Sequence, residues 1–242
     1  MTKYAMAIDL NKCIGCHACA IACKAEWGLE DQTSRCWVLP IGPEETAEGM
    51  ASTFYTGLCN HCDSPACVDE CPTGATYKDK TGRVVVNKEL CIGCANCVIS
   101  CPYNARYISA IDKKAEKCTF CEGRITEGVL PACVETCPTQ ARVFGDIENS
   151  RSEVYEKVFT EDYYPLATPA LNLGPNVFYT SKQRDYSLLM KYYSPNKLSK
   201  VETITTWSDL NPIITGTLGL TSLGVIGAFM AQLFFGEQDE HE

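Results

Sequence analysis

Seventeen of the 242 residues are cysteine, and all seventeen fall between Cys13 and Cys137. That density is far beyond what a hydrophobic core uses, so the thiols themselves must carry structure or chemistry. A disulfide scaffold expects a short secreted chain behind a signal peptide, with an even cysteine count. Here Met1 to Asp9 (MTKYAMAID) runs into the first cysteine without an apolar h-region, and the count is odd. The thiols are therefore read as metal ligands, and their spacing selects the metal.

Sixteen of them form four motifs of four. Motif one is Cys13, Cys16, Cys19, Cys23 (C-x2-C-x2-C-x3-C), and motif two is Cys59, Cys62, Cys67, Cys71, with two extra residues in its middle gap. Motif three is Cys91, Cys94, Cys97, Cys101, again plainly spaced. Motif four is Cys118, Cys121, Cys133, Cys137, with eleven residues in its middle gap. Each ends in C-x3-C, and Pro72, Pro102 and Pro138 follow three of them. This internal repeat matches the run that wraps an iron–sulfur cubane. Three thiolates from a tight loop take three irons, and the fourth, a turn into the following helix, serves a neighbouring cluster. Small residues between the ligands (Gly15, Ala18, Gly93, Ala95) let backbone amides approach the sulfurs.

Other readings fit less well. Four zinc sites would also use sixteen thiolates, but they favour paired CxxC knuckles and have no use for C-x3-C-P. Cys13 to His17 satisfies the haem motif CxxCH, yet a haem there would strand Cys19 and Cys23. Cys36 stands alone and is expected to be a buried free thiol. His17 and His61 lie inside ligand loops, where they either pack or donate to sulfur. Between motifs two and three, ATYKDKTGRVVVN predicts a β-hairpin turning near Asp79 to Gly82.

The rest of the chain bounds the function. With 45% apolar and 21% charged residues it is globular, of one or two domains. A net charge of −9 with dispersed lysines excludes nucleic acid as the main partner. After Gly145 there is no P-loop, GxGxxG or nucleophile elbow. Residues 213–235 hold no charge; as a helix they would span about 35 Å at 1.5 Å per residue, against a hydrocarbon core of about 30 Å. Asn211 and Pro212 suit a helix start and Gly236 its end, and Gly224 with Ala228 and Gly227 with Ala231 suit packing on another membrane helix. A transmembrane helix is expected here, a buried docking segment being the other reading. Lys197 and Lys200 before it, and four acids after it, place the cysteine-rich part on the cytoplasmic face of the cell membrane. Co-export with a partner would place it in the periplasm instead.

At this point the chain resembles the four-cluster iron–sulfur subunits of membrane-bound molybdenum oxidoreductases, the group that includes dimethyl sulfoxide, polysulfide, tetrathionate and arsenate reductases. The resemblance runs from about Tyr4 to about Tyr179, through IDLNKCIGCHAC, LCNHCDSPACVDECPTGATYKDKTGRVVVN, CIGCANCVISCPYNARY, KCTFC, ACVETCPTQARVFGDIEN and ALNLGPNVFYT. Lys24, where the other motifs have Pro, is common in that motif of the family. The resemblance implies an α+β fold of two tandem double-cluster bacterial-ferredoxin-like modules, motif one paired with four and two with three. With the readings above, that gives a four-cluster domain over 1–148, a wrapping, partner-contacting extension over 149–206, the transmembrane helix over 207–236 and an acidic tail over 237–242. It further implies four 4Fe-4S clusters with exchanged last ligands. The sets would be Cys13, Cys16, Cys19 and Cys137; Cys118, Cys121, Cys133 and Cys23; Cys59, Cys62, Cys67 and Cys101; and Cys91, Cys94, Cys97 and Cys71. The implied role is electron transfer between a molybdopterin catalytic subunit and a quinone-reactive membrane subunit. A hydrogenase or formate dehydrogenase partner is the alternative, and a zinc-stabilised, membrane-anchored interaction module a remote one.

Overall fold

The computed structural model describes residues 2–29, 33–46, 49–168, 172–180, 186 and 188–190. Among the described residues it is an α+β fold of ten strands and six helices. The strands are β1 (Tyr4–Asp9), β2 (Cys36–Thr46), β3 (Gly49–Leu58), β4 (Thr76–Lys78), β5 (Val84–Val86), β6 (Tyr107–Ile108), β7 (Ala115–Glu116), β8 (Arg142–Asp146), β9 (Tyr164–Pro165) and β10 (Val177–Thr180). The helices are α1 (Ala18–Trp27), α2 (Ala66–Asp69), α3 (Asn96–Ile99), α4 (Glu122–Thr126), α5 (Ala132–Glu135) and α6 (Glu153–Thr160).

Every cysteine motif lies between a strand that enters it and a strand that leaves it. The leaving strand pairs antiparallel with the strand entering the next motif: β2 with β3, β4 with β5, and β6 with β7. The last one, β8, returns to β1 in the register Tyr4↔Asp146 to Ile8↔Arg142. Motif four is thereby brought beside motif one. The β4–β5 hairpin forms where its sequence predicts. Asp79 Oδ1 accepts from the N–H groups of Thr81 (2.8 Å) and Arg83 (3.0 Å), and Gly82 takes the positive φ of +77° that the turn needs.

The residue after each motif sets the length of its helix. Proline has no N–H and crowds the carbonyl four residues back, and α2, α3 and α5 are each four residues long. After motif one Lys24 keeps its N–H, so α1 runs for ten residues and stops at Gly28, whose left-handed conformation caps it with a bond to the Lys24 carbonyl. The extra turns bring Trp27 under the Arg35 guanidinium, 4.5 Å from the ring centroid.

Residues beyond 148 are built into the same sheet. Strand β10 runs parallel to β1, with Met6 opposite Val177, and β9 pairs with β10, giving the order β8-β1-β10-β9. Helix α6 is capped by Ser152, whose Oγ accepts from the Tyr155 N–H at 3.2 Å, and it packs on β8 and β1. The core under this sheet collects Met6, Ile8, Tyr55, Leu58, Leu166, Tyr179 and Leu189, all fully buried. Two of its phenols are bonded to backbone: Tyr179 donates to the Thr56 carbonyl at 3.1 Å and Tyr103 to that of Leu166 at 3.0 Å. The segment 207–236 expected to cross the membrane, and the tail 237–242, lie outside the described residues. Among the described residues no helix is long and apolar enough to cross a membrane.

Candidate metal centres

None of the seventeen thiols is in a disulfide. Sixteen of them gather into four sets. Site one is a cavity lined by Cys13, Cys16, Cys19 and Cys137. Site two is lined by Cys59, Cys62, Cys67 and Cys101. Site three is lined by Cys71, Cys91, Cys94 and Cys97. The remaining four, Cys23, Cys118, Cys121 and Cys133, are all buried and make up site four. Burial pushes Cys23 up to about 12 with Cys133 and Cys121 adding to it, and pushes Cys118 well up with Cys23 and Cys133 adding. Each set combines three cysteines of one motif with the last cysteine of another.

The loops owe their shape to one backbone conformation repeated four times. The residue before the second cysteine of each motif has positive φ: +68° at Gly15, +44° at His61, +72° at Gly93 and +55° at Phe120. The left-handed kink turns successive amides inward. The Phe120 N–H donates to Cys118 Sγ at 3.4 Å, and the Gly15 N–H bonds Cys13. At the far end of the motifs, the N–H groups of Thr76 and Ala141 donate to Cys71 Sγ (3.4 Å) and Cys137 Sγ (3.3 Å), and that of Ala115 to Cys91 Sγ (3.4 Å). A sulfur that accepts such bonds is stabilised as the thiolate, which is the form a metal takes.

The two loop histidines differ. His17 is exposed at the start of α1, beside site one. His61 is fully buried, its Nδ1 accepts from the Val84 N–H at 3.0 Å, and its ring stacks on Phe120 at 3.9 Å. That bond puts the imidazole proton on Nε2. Burial, then Lys117 and Arg83, pull His61 well below the usual histidine range, so it is neutral. Cys36 is buried as expected. Its thiol hydrogen-bonds Cys19, which lowers Cys19 and raises Cys36, and it accepts from Arg142 Nη2 at 3.3 Å.

The donor set fits an iron–sulfur cluster better than a single ion. Among the described residues no three His, Cys, Asp or Glu side chains converge closely enough to hold one metal ion. A tetrahedral zinc site with Zn–S near 2.3 Å would draw its sulfurs to about 3.8 Å from one another. A cubane, with one thiolate at each corner, keeps them wider apart around a hollow. Around site two, His61 Nε2, Asn60 Nδ2 and Arg106 Nε and Nη2 are buried without a conventional hydrogen-bond partner. Orphaned buried donors of that kind fit an anionic, sulfur-rich occupant.

One supporting residue escaped the sequence reading although its stretch, ALNLGPNVFYT, was conspicuous. Asn176 is buried and donates from Nδ2 to the His61 carbonyl at 2.8 Å, while its N–H donates to that of Asn60 at 2.8 Å. The Asp63 and Ser64 N–H groups bond back to Gly174 and Leu173. The extension thus clamps the first part of the motif-two loop, from Asn60 to Ser64.

Comparison with known proteins agrees with this geometry. Residues 50–147 match a 4Fe-4S dicluster domain and residues 4–25 a 4Fe-4S binding domain. The chain is 40% identical to a tetrathionate reductase subunit of Salmonella typhimurium over 179 residues, 73% of this chain and 72% of that one. It is 39% identical to a polysulfide reductase chain of Wolinella succinogenes over 186 residues, 75% of this chain and 96% of the other. With a sulfite dehydrogenase subunit of Allochromatium vinosum it shares 35% identity over 229 residues, 84% and 91% of the two chains.

Proposed function

The chain belongs to the iron–sulfur subunits of molybdopterin-type oxidoreductases and is an electron-transfer subunit, not a catalytic one; from that premise we propose how its own residues divide the work. The sixteen motif cysteines hold four 4Fe-4S clusters, and the last cysteine of each motif serves its partner motif's site. The observation that carries this reading is the composition of the three cavities, each lined by three cysteines of one motif and the last of another. When bound, the clusters supply one-electron transfer at potentials set by burial, charge and hydrogen bonds to sulfur. The protein directs amides at the thiols and buries the inner sites.

Sites one and three are where electrons enter and leave. Cys16 and Cys94 are the two exposed ligands; an exposed isoleucine lines each site, Ile14 at site one and Ile92 at site three, and the following helices expose Ile21 and Ile99. Apolar side chains beside an open redox site suit a protein partner that seals it. One face receives the molybdopterin catalytic subunit and the other the quinone-reactive membrane subunit. Residues 213–235 add a transmembrane anchor, with the 1–148 domain on the cytoplasmic face unless it is co-exported, and 149–206 as the partner-contacting extension.

Iron and acid-labile sulfide assays on the purified complex test the ligand reading. Four irons and four sulfides per site are expected; one zinc per cysteine set, without sulfide, would overturn it. For the exits, Ile92→Glu with Ile99→Glu is expected to release one partner in a pull-down and keep the other, and Ile14→Glu with Ile21→Glu the reverse. Release of neither partner by either pair would overturn that assignment.

A further inference from the structure

Among the described residues, three cations are buried without a carboxylate partner. Arg106, Lys117 and Arg142 are 5%, 2% and 4% exposed. Other arginines are paired: Arg35 with Glu116, Arg83 with Asp79, Arg124 with Glu135. Among the described residues no acidic side chain pairs with any of these three. A buried charge left uncompensated is strongly unfavourable, so the compensating negative charge must come from what the cysteine sets hold.

Their positions are regular. Arg106 and Arg142 occupy the same place in the repeat, C-P-x-x-A-R after motifs three and four. Arg142 lines site one and hydrogen-bonds Cys133 of site four. Arg106 lines site two, and its Nη1 donates at 3.1 Å to Thr76, which lines site three and whose N–H bonds Cys71. Lys117 donates from Nζ to the carbonyl of Cys118 in the site-four loop at 2.8 Å and to that of Val84, which lines site two. Each cation therefore touches two sites: one with four, four with two, two with three. Thiolates of both sites of each pair act on its cation: Cys133 and Cys19 on Arg142, beside the nearer Cys36, Cys59 and Cys118 on Lys117, and Cys67 and Cys97 on Arg106.

We propose that Arg142, Lys117 and Arg106 are positioning charges, one in each of the three gaps between neighbouring sites, and that each raises the reduction potentials of the two sites it adjoins. The physics is direct. Reduction adds one negative charge to a site, and a fixed positive charge nearby in a low-dielectric interior stabilises the reduced form. A cation shared by two sites stabilises the electron on either side of the gap, so the step between them is not uphill on that account. This inference rests on the four-cluster reading, and iron and sulfide content reports on that reading separately from the potentials.

The test is a redox titration of the purified complex, followed by EPR, in the parent and in Arg142→Gln, Lys117→Gln and Arg106→Gln, with iron and sulfide assayed in each. Arg142→Gln is expected to lower two of the four reduction steps by about tenfold or more in equilibrium constant, about 59 mV for one electron. Arg106→Gln lowers the other two, and Lys117→Gln lowers one step from each pair. A general loosening of the fold would not produce that overlap. Fully loaded variants with unmoved potentials, or the same steps moving in Arg142→Gln and Arg106→Gln, would overturn the proposal. Where a glutamine variant does not load all four sites, Arg142→Lys, Arg106→Lys or Lys117→Arg takes its place. These keep the charge and are expected to keep the parent potentials; a tenfold fall in them would also overturn it.

Discussion

Sites one and three differ from sites two and four in the residue before the second ligand, besides the longer middle gap of motifs two and four. All four loops place the residue before the second ligand at positive φ, from +44° to +72°. In motifs one and three that residue is glycine, and the following ligand, Cys16 or Cys94, is exposed. In motifs two and four it is a ring, His61 or Phe120, and the following Cys62 or Cys121 is buried. The two rings stack on each other at 3.9 Å and close the middle of the molecule. Ligand spacing thus decides where the thiols sit, and the stacked rings, with the longer middle gaps of motifs two and four, go with the sealed sites.

The comparison can be broken at its seal. Phe120→Ala removes a fully buried ring and leaves His61 unstacked. It is expected to destabilise by about 3–5 kcal/mol and to make site-four iron accessible to chelators, as measured by thermal unfolding and by the rate of iron loss.

A second test exchanges the residue that follows the motif. Lys24→Pro gives motif one the ending of the other three. It should truncate α1 beyond Cys23 and cost about 3 kcal/mol, seen as a lower unfolding midpoint and loss of helical circular dichroism. Pro102→Lys, the reverse exchange in motif three, should cost much less.

The open sites can be told apart by their glycines. At Gly93 a Cβ would lie 2.1 Å from the Lys113 carbonyl oxygen, which is backbone; at Gly15 it would meet the Phe54 ring, which can move. Both substitutions carry the left-handed penalty of about 1–2 kcal/mol. Gly93→Ala adds an unrelieved clash and should lose about 2–3 kcal/mol in all, together with iron at site three. Gly15→Ala should stay near the backbone penalty, and Phe54→Ala should not improve Gly93→Ala. The smallest effect is expected away from every site: Ser152→Ala uncaps α6 for about 1 kcal/mol, measurable in unfolding midpoint with potentials unchanged.

What the sequence made legible follows from which constraints are local. The cysteine spacing and the Asp79–Gly82 turn are short-range patterns, and both appear where they were read. Phe120 and His61 were opaque because positive φ is signalled by glycine, and here a ring occupies it, held by stacking across 59 residues of chain. The parallel pairing of β10 with β1 and the Asn176 clamp are also long-range. The stretch containing Asn176 stood out only as a resemblance, without a physical reason. The arginines of CPYNAR and CPTQAR were visible as a repeat, yet only burial without a carboxylate gives them a role.

The central claim is that the last cysteine of each motif serves a different site from its own motif's first three. EPR spectra of reduced Cys13→Ala, Cys133→Ala and Cys137→Ala test it most directly. Cys137→Ala and Cys13→Ala are predicted to lose the same cluster signal, with Cys133→Ala losing a different one. If Cys137→Ala and Cys133→Ala lose the same signal, the ligands are not exchanged and the account is wrong.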